Sequence, residues 1–242
     1  MGIDVRDVDG RHEVLYNANH QNLLDTSTER KPHLQQVDQL VVSSVFRRRK
    51  ARGGDGDGNP FIYALKGLNR YHITRNELWA FRPNFLSILG TFMAQEPYDR
   101  IVPMPSSKPI ARYVAKKAQR LQPECQLDGS LFRKRTTDEI LPEVEARFAS
   151  GEIPSKLKKE TGSLLSTLRK APGTEFSMKH VHQRLRDYVS PLALNTGVQV
   201  EGARILLVDD LLSSGSTLRT AHQLLLQAGA THVSALCLLS RV

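Results

Sequence analysis

A chain of 242 residues with 40% hydrophobic and 24% charged residues has the composition of a globular protein with a substantial core, which excludes collagen-like and wholly disordered chains. Its departure is charge: 34 Lys and Arg against 25 Asp and Glu give +9 at pH 7, a balance that favours an anionic partner such as nucleic acid, an acidic membrane surface or a phosphorylated small molecule. Two cysteines, Cys125 and Cys237, cannot build a disulfide framework or a four-thiolate zinc site, and neither a signal peptide nor an apolar run of the ~20 residues a membrane helix needs is visible, so a cytoplasmic protein without membrane association is expected.

Residues 1–36 are polar and without sustained periodicity, and are expected to form an irregular amino-terminal arm. Residues 37–67 read as a hairpin, with the apolar runs LVVSSVFRR and FIYALKGL on either side of the turn cluster RRKARGGDGDGNP. Asp55, Asp57 and Asn59 alternate at its tip like the opening of a calcium loop, but no acid follows at the closing position, so a solvated turn is the better reading. Arg47, Arg48, Arg49, Lys50 and Arg52 form the densest basic run, which serves equally as a solvated face or as a contact for nucleic acid or a protein partner.

Phe85, Ile88, Leu89 and Phe92 follow helical spacing and predict a helix that buries one stripe. Two copies of one plan come next. A strand over residues 100–103 leads through MPSSKP into a helix near Ile110, and a purely apolar strand over 205–208 leads through DDLLSSGST into a helix with Leu218, Ala221, Leu225 and Ala228 on one face. Between them, residues 137–194 read as a helical insertion or cap punctuated by prolines, and HVSALCLLSRV supplies a last buried strand. Strands that are apolar on both faces and alternate with helices predict an α/β fold with a parallel sheet flanked by helices.

In such a sheet, ligands bind beyond the carboxyl ends of the strands. Ser213, Ser214, Gly215, Ser216 and Thr217 bring hydroxyls, backbone N–H groups and a helix amino terminus together, which is more than a single helix cap needs and suits a phosphate. Asp209 and Asp210 stand just ahead of that cradle and would repel a phosphate unless they serve other groups: sugar hydroxyls, a magnesium shell or a developing positive charge. A P-loop lysine and the three spaced glycines of a dinucleotide fingerprint are both missing.

The stretch ILLVDDLLSSGSTL resembles the 5-phosphoribosyl pyrophosphate (PRPP) motif of type I phosphoribosyltransferases, with serines at 213 and 214 where threonines are common. The resemblance implies a phosphoribosyltransferase-like fold in which Asp209 and Asp210 hold the ribose hydroxyls and residues 213–217 the 5-phosphate. It also implies that the earlier loop receives pyrophosphate through Ser106, Ser107, Lys108 and Arg112, with Mg2+ carried by PRPP and water rather than by direct protein ligands. Within the family, FIYALKGL, IVPMPSSK and LFRKRTTDEILPEVEARF are similar to the ComF-like, competence-associated group, although the four-cysteine zinc module often found there has no counterpart. The chain accordingly divides into the arm, 1–36, and a phosphoribosyltransferase-like domain, 37–242. The expected function is transfer of a phosphoribosyl group to an acceptor the sequence does not identify. A PRPP-sensing or nucleic-acid-associated module without catalysis and a subunit of a larger complex are the alternatives, and the oligomeric state is left open.

Overall fold

The structure, a computed structural model, describes residues 1–29, 31–49 and 59–241. The amino-terminal region is not the irregular arm expected. Strands β1 (Gly2–Val8) and β2 (Arg11–Asn17) form an antiparallel hairpin in which Ile3 faces Tyr16 and Val5 faces Val14. Asp9 and Gly10 close it with φ of 49° and 73°, the two left-handed residues that a type I′ turn requires. Strands β3 (Leu24–Asp25) and β4 (His33–Val37) follow, and both pair antiparallel with β5 (Leu40–Arg48).

The hairpin expected over residues 37–67 is also corrected. The antiparallel partners of β5 precede it, and FIYALKGL lies on a helix, α1 (Pro60–Lys66). Asn59 caps that helix by accepting from the Phe61 amide, Pro60 occupies its first turn, and Gly67 ends it at φ 64°. The tip itself, with Lys50, Arg52, Asp55 and Asp57, lies outside the described residues.

Next in the chain come β6 (Tyr71–His72), α2 (Arg75–Ala80) and α3 (Arg82–Met93), the last burying Phe85, Ile88, Leu89 and Phe92 as the spacing predicted. They are followed by β7 (Arg100–Pro103), α4 (Ile110–Gln119), β8 (Gln126–Leu127) and β9 (Phe132–Lys134). Helices α5 (Thr137–Ala149) and α6 (Lys158–Lys170) precede β10 (Leu192–Leu194), and the chain finishes through β11 (Arg204–Leu211), α7 (Ser216–Gln227) and β12 (His232–Leu239).

These elements form two compact units, one of residues 1–129, 202–215 and 230–242, the other of residues 130–201 and 216–229. The first unit holds a sheet in the order β3-β5-β12-β11-β7-β8, with β4 also on β5. The run from β5 to β8 is parallel and flanked by helices, the mixed α/β architecture that the alternating strands and helices predicted. In β11, residues 205–208 are fully buried, each contributing roughly 1.5–3 kcal/mol by leaving water. At the amino ends of these strands, Glu96 accepts from Tyr98 (2.6 Å) and Arg204 (2.6 Å) and meets His232 (3.2 Å), while Tyr98 also reaches Ser234 at 2.8 Å. This polar cluster ties β11 and β12 to the segment entering β7.

The second unit has its own apolar cluster, in which Ile140, Val144, Leu157, Leu164, Leu168, Val181, Leu185 and Val189 are buried. Helix α5 starts with a capping box of Thr136 and Glu139. Among the described residues, no helix is long and apolar enough to cross a membrane.

Candidate functional site

Strand β11 lies between β12 and β7, and its register pairs Val208 with Pro103. The Met104 amide donates to the Val208 carbonyl at 2.8 Å, so the pairing persists to the end of β7. Residues 104–109 and the segment after Leu211 therefore leave the same carboxyl edge of the sheet from neighbouring strands, which lie about 5 Å apart.

The acidic pair sits inside the strand rather than after it. Asp210 is 5% exposed, and both of its carboxylate oxygens lie against the Lys66 ammonium, at 2.9 and 2.8 Å. Asp209 has no ion pair among the described residues and accepts from the Asp210 amide at 2.7 Å. Burial, and then the neighbouring Asp210 carboxylate, push the Asp209 carboxyl well above the usual range. The two acids thus differ in kind: Asp210 is neutralised by a partner within the chain, whereas Asp209 lacks a direct cationic partner among the described residues. Lys66 was missed at the sequence level, because nothing local shows that the end of α1 meets the end of β11.

The loop that follows is closely held. Leu212 donates to the Leu239 carbonyl at 2.9 Å, fastening the loop to β12. Gly215 adopts φ 79°, and a Cβ there would lie 2.8 Å from both methyls of Val37, so backbone and space each demand glycine. Ser213 and Ser214 occupy the loop, and Ser216 and Thr217 are the first two residues of α7.

Arg48 does not belong to a basic surface. It is 2% exposed; its backbone amide donates to Ser240 Oγ at 2.9 Å, and its guanidinium donates to the carbonyls of Ser240 and of Leu212, the latter at 3.2 Å. Strand alternation turns it inward while Arg47 and Arg49 remain exposed, and Arg49 pairs with Gln21 and Asp25. The expected contact of five cations with nucleic acid or a protein loses Arg48, and Lys50 and Arg52 lie outside the described residues.

The loop after β7 is exposed. Ser106 accepts from the Lys108 amide at 3.4 Å, a local turn, and α4 begins after Pro109 with no side-chain cap. Neither Ser106 nor Ser107 therefore caps this helix. The side chains of Lys108 and Arg112 are exposed and have no hydrogen bond or ion pair among the described residues. Together with the helix amino terminus they form an electropositive, uncommitted surface. Arg133, Lys134 and Arg135, by contrast, are engaged within the second unit, with Glu139, Glu175 and Glu143 respectively. The hydrogen bonds from Arg133 and the Thr136 amide pull the Glu139 carboxyl down to about 2.

No group of three or more His, Cys, Asp or Glu placed to hold a metal occurs among the described residues. That donor set fits Mg2+ only where substrate oxygens and water supply most of the ligands, with Asp209 as the carboxylate left without a direct cationic partner among the described residues.

The site thus consists of an acidic pair near the end of a parallel strand, a glycine-dependent loop behind it and a second, cationic loop on the neighbouring strand. Residues 146–242 match the family model of the phosphoribosyl transferase domain, a span that contains Asp209, Asp210 and residues 213–217. The match supports phosphoribosyl transfer in general and a transferase enzyme. Among solved structures, the crystal structure of TT1426 from Thermus thermophilus is similar at 17% identity, covering 63% of this chain and 82% of that one, with a TM-score of 0.31. None of the curated proteins matches the chain.

Proposed function

We propose that the protein binds PRPP at the carboxyl edge of its parallel sheet and transfers the phosphoribosyl group to an acceptor nucleophile with release of pyrophosphate. The observation that carries this reading is the register of β7 and β11, which sets an acidic pair and two anion-suited loops side by side. Asp209 and Asp210 take the ribose hydroxyls. Ser213, Ser214 and Gly215 take the 5-phosphate, and the sequence motif extends that role to Ser216 and Thr217. Lys108, Arg112, Ser106 and Ser107 take the pyrophosphate, where the positive charge offsets the charge of the leaving group.

As the bond to pyrophosphate breaks, positive charge grows on the ribose. Asp209, pushed toward its neutral form by burial and by Asp210, favours the arrival of that charge because a cation beside it restores the ionised carboxylate. Lys66 holds the Asp210 carboxylate in place for the hydroxyls. Mg2+, carried by PRPP and water, would neutralise part of the pyrophosphate charge. The similarity of FIYALKGL and IVPMPSSK to the ComF-like group supports a relationship with it, and two buried free cysteines accord with a cytoplasmic setting.

Pyrophosphate release from PRPP and Mg2+ across a panel of bases tests the reading. Activity with one acceptor, lowered about 10³-fold in Asp209→Asn/Asp210→Asn, supports it. PRPP binding without turnover favours a sensor instead, and absence of binding at millimolar PRPP overturns both.

A further inference from the structure

The carbonyls of three consecutive residues in the loop after β11 accept hydrogen bonds from arginines far away in the chain. Arg48 donates to Leu212, and Arg241 donates through Nε to Ser213 at 3.0 Å and through Nη2 to Ser214 at 3.1 Å. Each arginine is itself located. Arg48 is buried and bonded to Ser240, and the Arg241 amide donates to Gln35 Oε1 at 2.9 Å. A guanidinium is planar with fixed donor directions, so a single Arg241 side chain fixes two successive peptide groups at once.

Peptide planarity carries the consequence to the other side of the chain. In a trans peptide the carbonyl of one residue and the N–H of the next point in opposite directions. Holding the Ser213 and Ser214 carbonyls on one guanidinium therefore directs the Ser214 and Gly215 N–H groups away from it, together. Fixing the Leu212 carbonyl on Arg48 does the same for the Ser213 N–H. The positive φ of Gly215 lets the backbone turn at the end of this row. Successive amides aimed alike form an anion-binding concavity, and a cation on each carbonyl polarises the peptide further in that sense.

We propose that Arg48 and Arg241 are positioning residues for phosphate binding: from behind the loop they hold the carbonyls of Leu212, Ser213 and Ser214 so that the following amides are aimed at a phosphate monoester. This inference rests on the PRPP reading and adds what organises the loop. It also gives Arg48 an internal role in place of the surface role its basic neighbours suggested.

Arg241 carries the test because it is exposed and its removal leaves the core intact. Ribose 5-phosphate and pyrophosphate are titrated separately by calorimetry into the full chain, the Arg241→Ala variant and the Arg241→Lys variant, with the melting midpoint of each recorded. Ribose 5-phosphate affinity is expected to fall about tenfold or more in Arg241→Ala, as loss of charge-assisted hydrogen bonds implies, with pyrophosphate affinity unchanged. Arg241→Lys is expected to recover little of the loss, because an ammonium keeps the charge without the planar fork. Equal weakening of both ligands, full rescue by lysine, or unchanged ribose 5-phosphate binding in a folded Arg241→Ala overturns the inference while leaving the PRPP reading standing. Failure of the unaltered protein to bind PRPP overturns that reading and this inference with it.

Discussion

The loops that follow β7 and β11 leave one sheet edge from strands paired in register, yet they are built in opposite ways. The loop after β11 is fastened by Arg48, Arg241 and the Leu212–Leu239 bond and admits no side chain at Gly215. The loop after β7 has one local turn at Ser106, an uncapped helix start and two cations without partners among the described residues. Under the proposed function, the contrast matches two tasks. A phosphate monoester that must be oriented is best met by amides fixed in advance, because ordering them at binding would cost affinity. A leaving group that must depart is better met by charge on mobile side chains, which release it without rearranging the backbone.

The largest effect is expected where the fastened loop is forced open. Gly215→Ala meets the Val37 methyls and a positive φ together, and about 2–4 kcal/mol of stability should be lost in urea unfolding. Val37→Ala in the same chain should restore the overpacking part only, so a double-mutant cycle without coupling would show that the contact does not shape the loop.

Lys66→Met comes next. It strips Asp210 of its partner at a site where the lysine side chain is 23% and the aspartate side chain 7% exposed, so a loss of about 1–3 kcal/mol is expected. An unaltered melting midpoint would remove the ion pair from the account of how the acidic pair is held.

A smaller effect concerns pH. A carboxyl whose folded value is raised contributes stability that is complete below the ordinary aspartate range and disappears as pH rises through the raised value. Asp209 should therefore make the protein less stable at pH 8 than at pH 5, and Asp209→Asn should remove that share of the slope. Equal slopes in denaturant titrations of the two proteins would contradict the burial assigned to Asp209.

The smallest effect on stability is expected in the open loop. Lys108→Ala should leave unfolding within about 0.5 kcal/mol while weakening pyrophosphate binding in a manner that fades as salt is raised. Salt-independent weakening would mean that this loop, too, acts through fixed geometry.

The paired strand–loop–helix units were legible because their signals are local: four apolar residues before Asp209, helical spacing in α7, and small hydroxyl residues between them. The β1–β2 hairpin was obscured by its polar residues, although Asp9-Gly10 is itself a strong hairpin signal. A short apolar run such as FIYALKGL does not by its periodicity choose between strand and helix, and the deciding residues were its caps, Asn59, Pro60 and Gly67. Arg48 was illegible for another reason. Among basic neighbours it reads as surface, and the carbonyls that bury it lie 164 and 192 residues further along the chain.

Those separations also bear on how the protein reaches its working state. A loop shaped by residues 37, 48, 239 and 241 cannot take its final form by local folding, because contacts of such sequence distance form only after the entropy of closing the intervening chain has been overcome. Capture of a phosphate monoester should then appear late in refolding, after helical signal has returned, making ligand binding a more exacting reporter of completed folding than secondary structure.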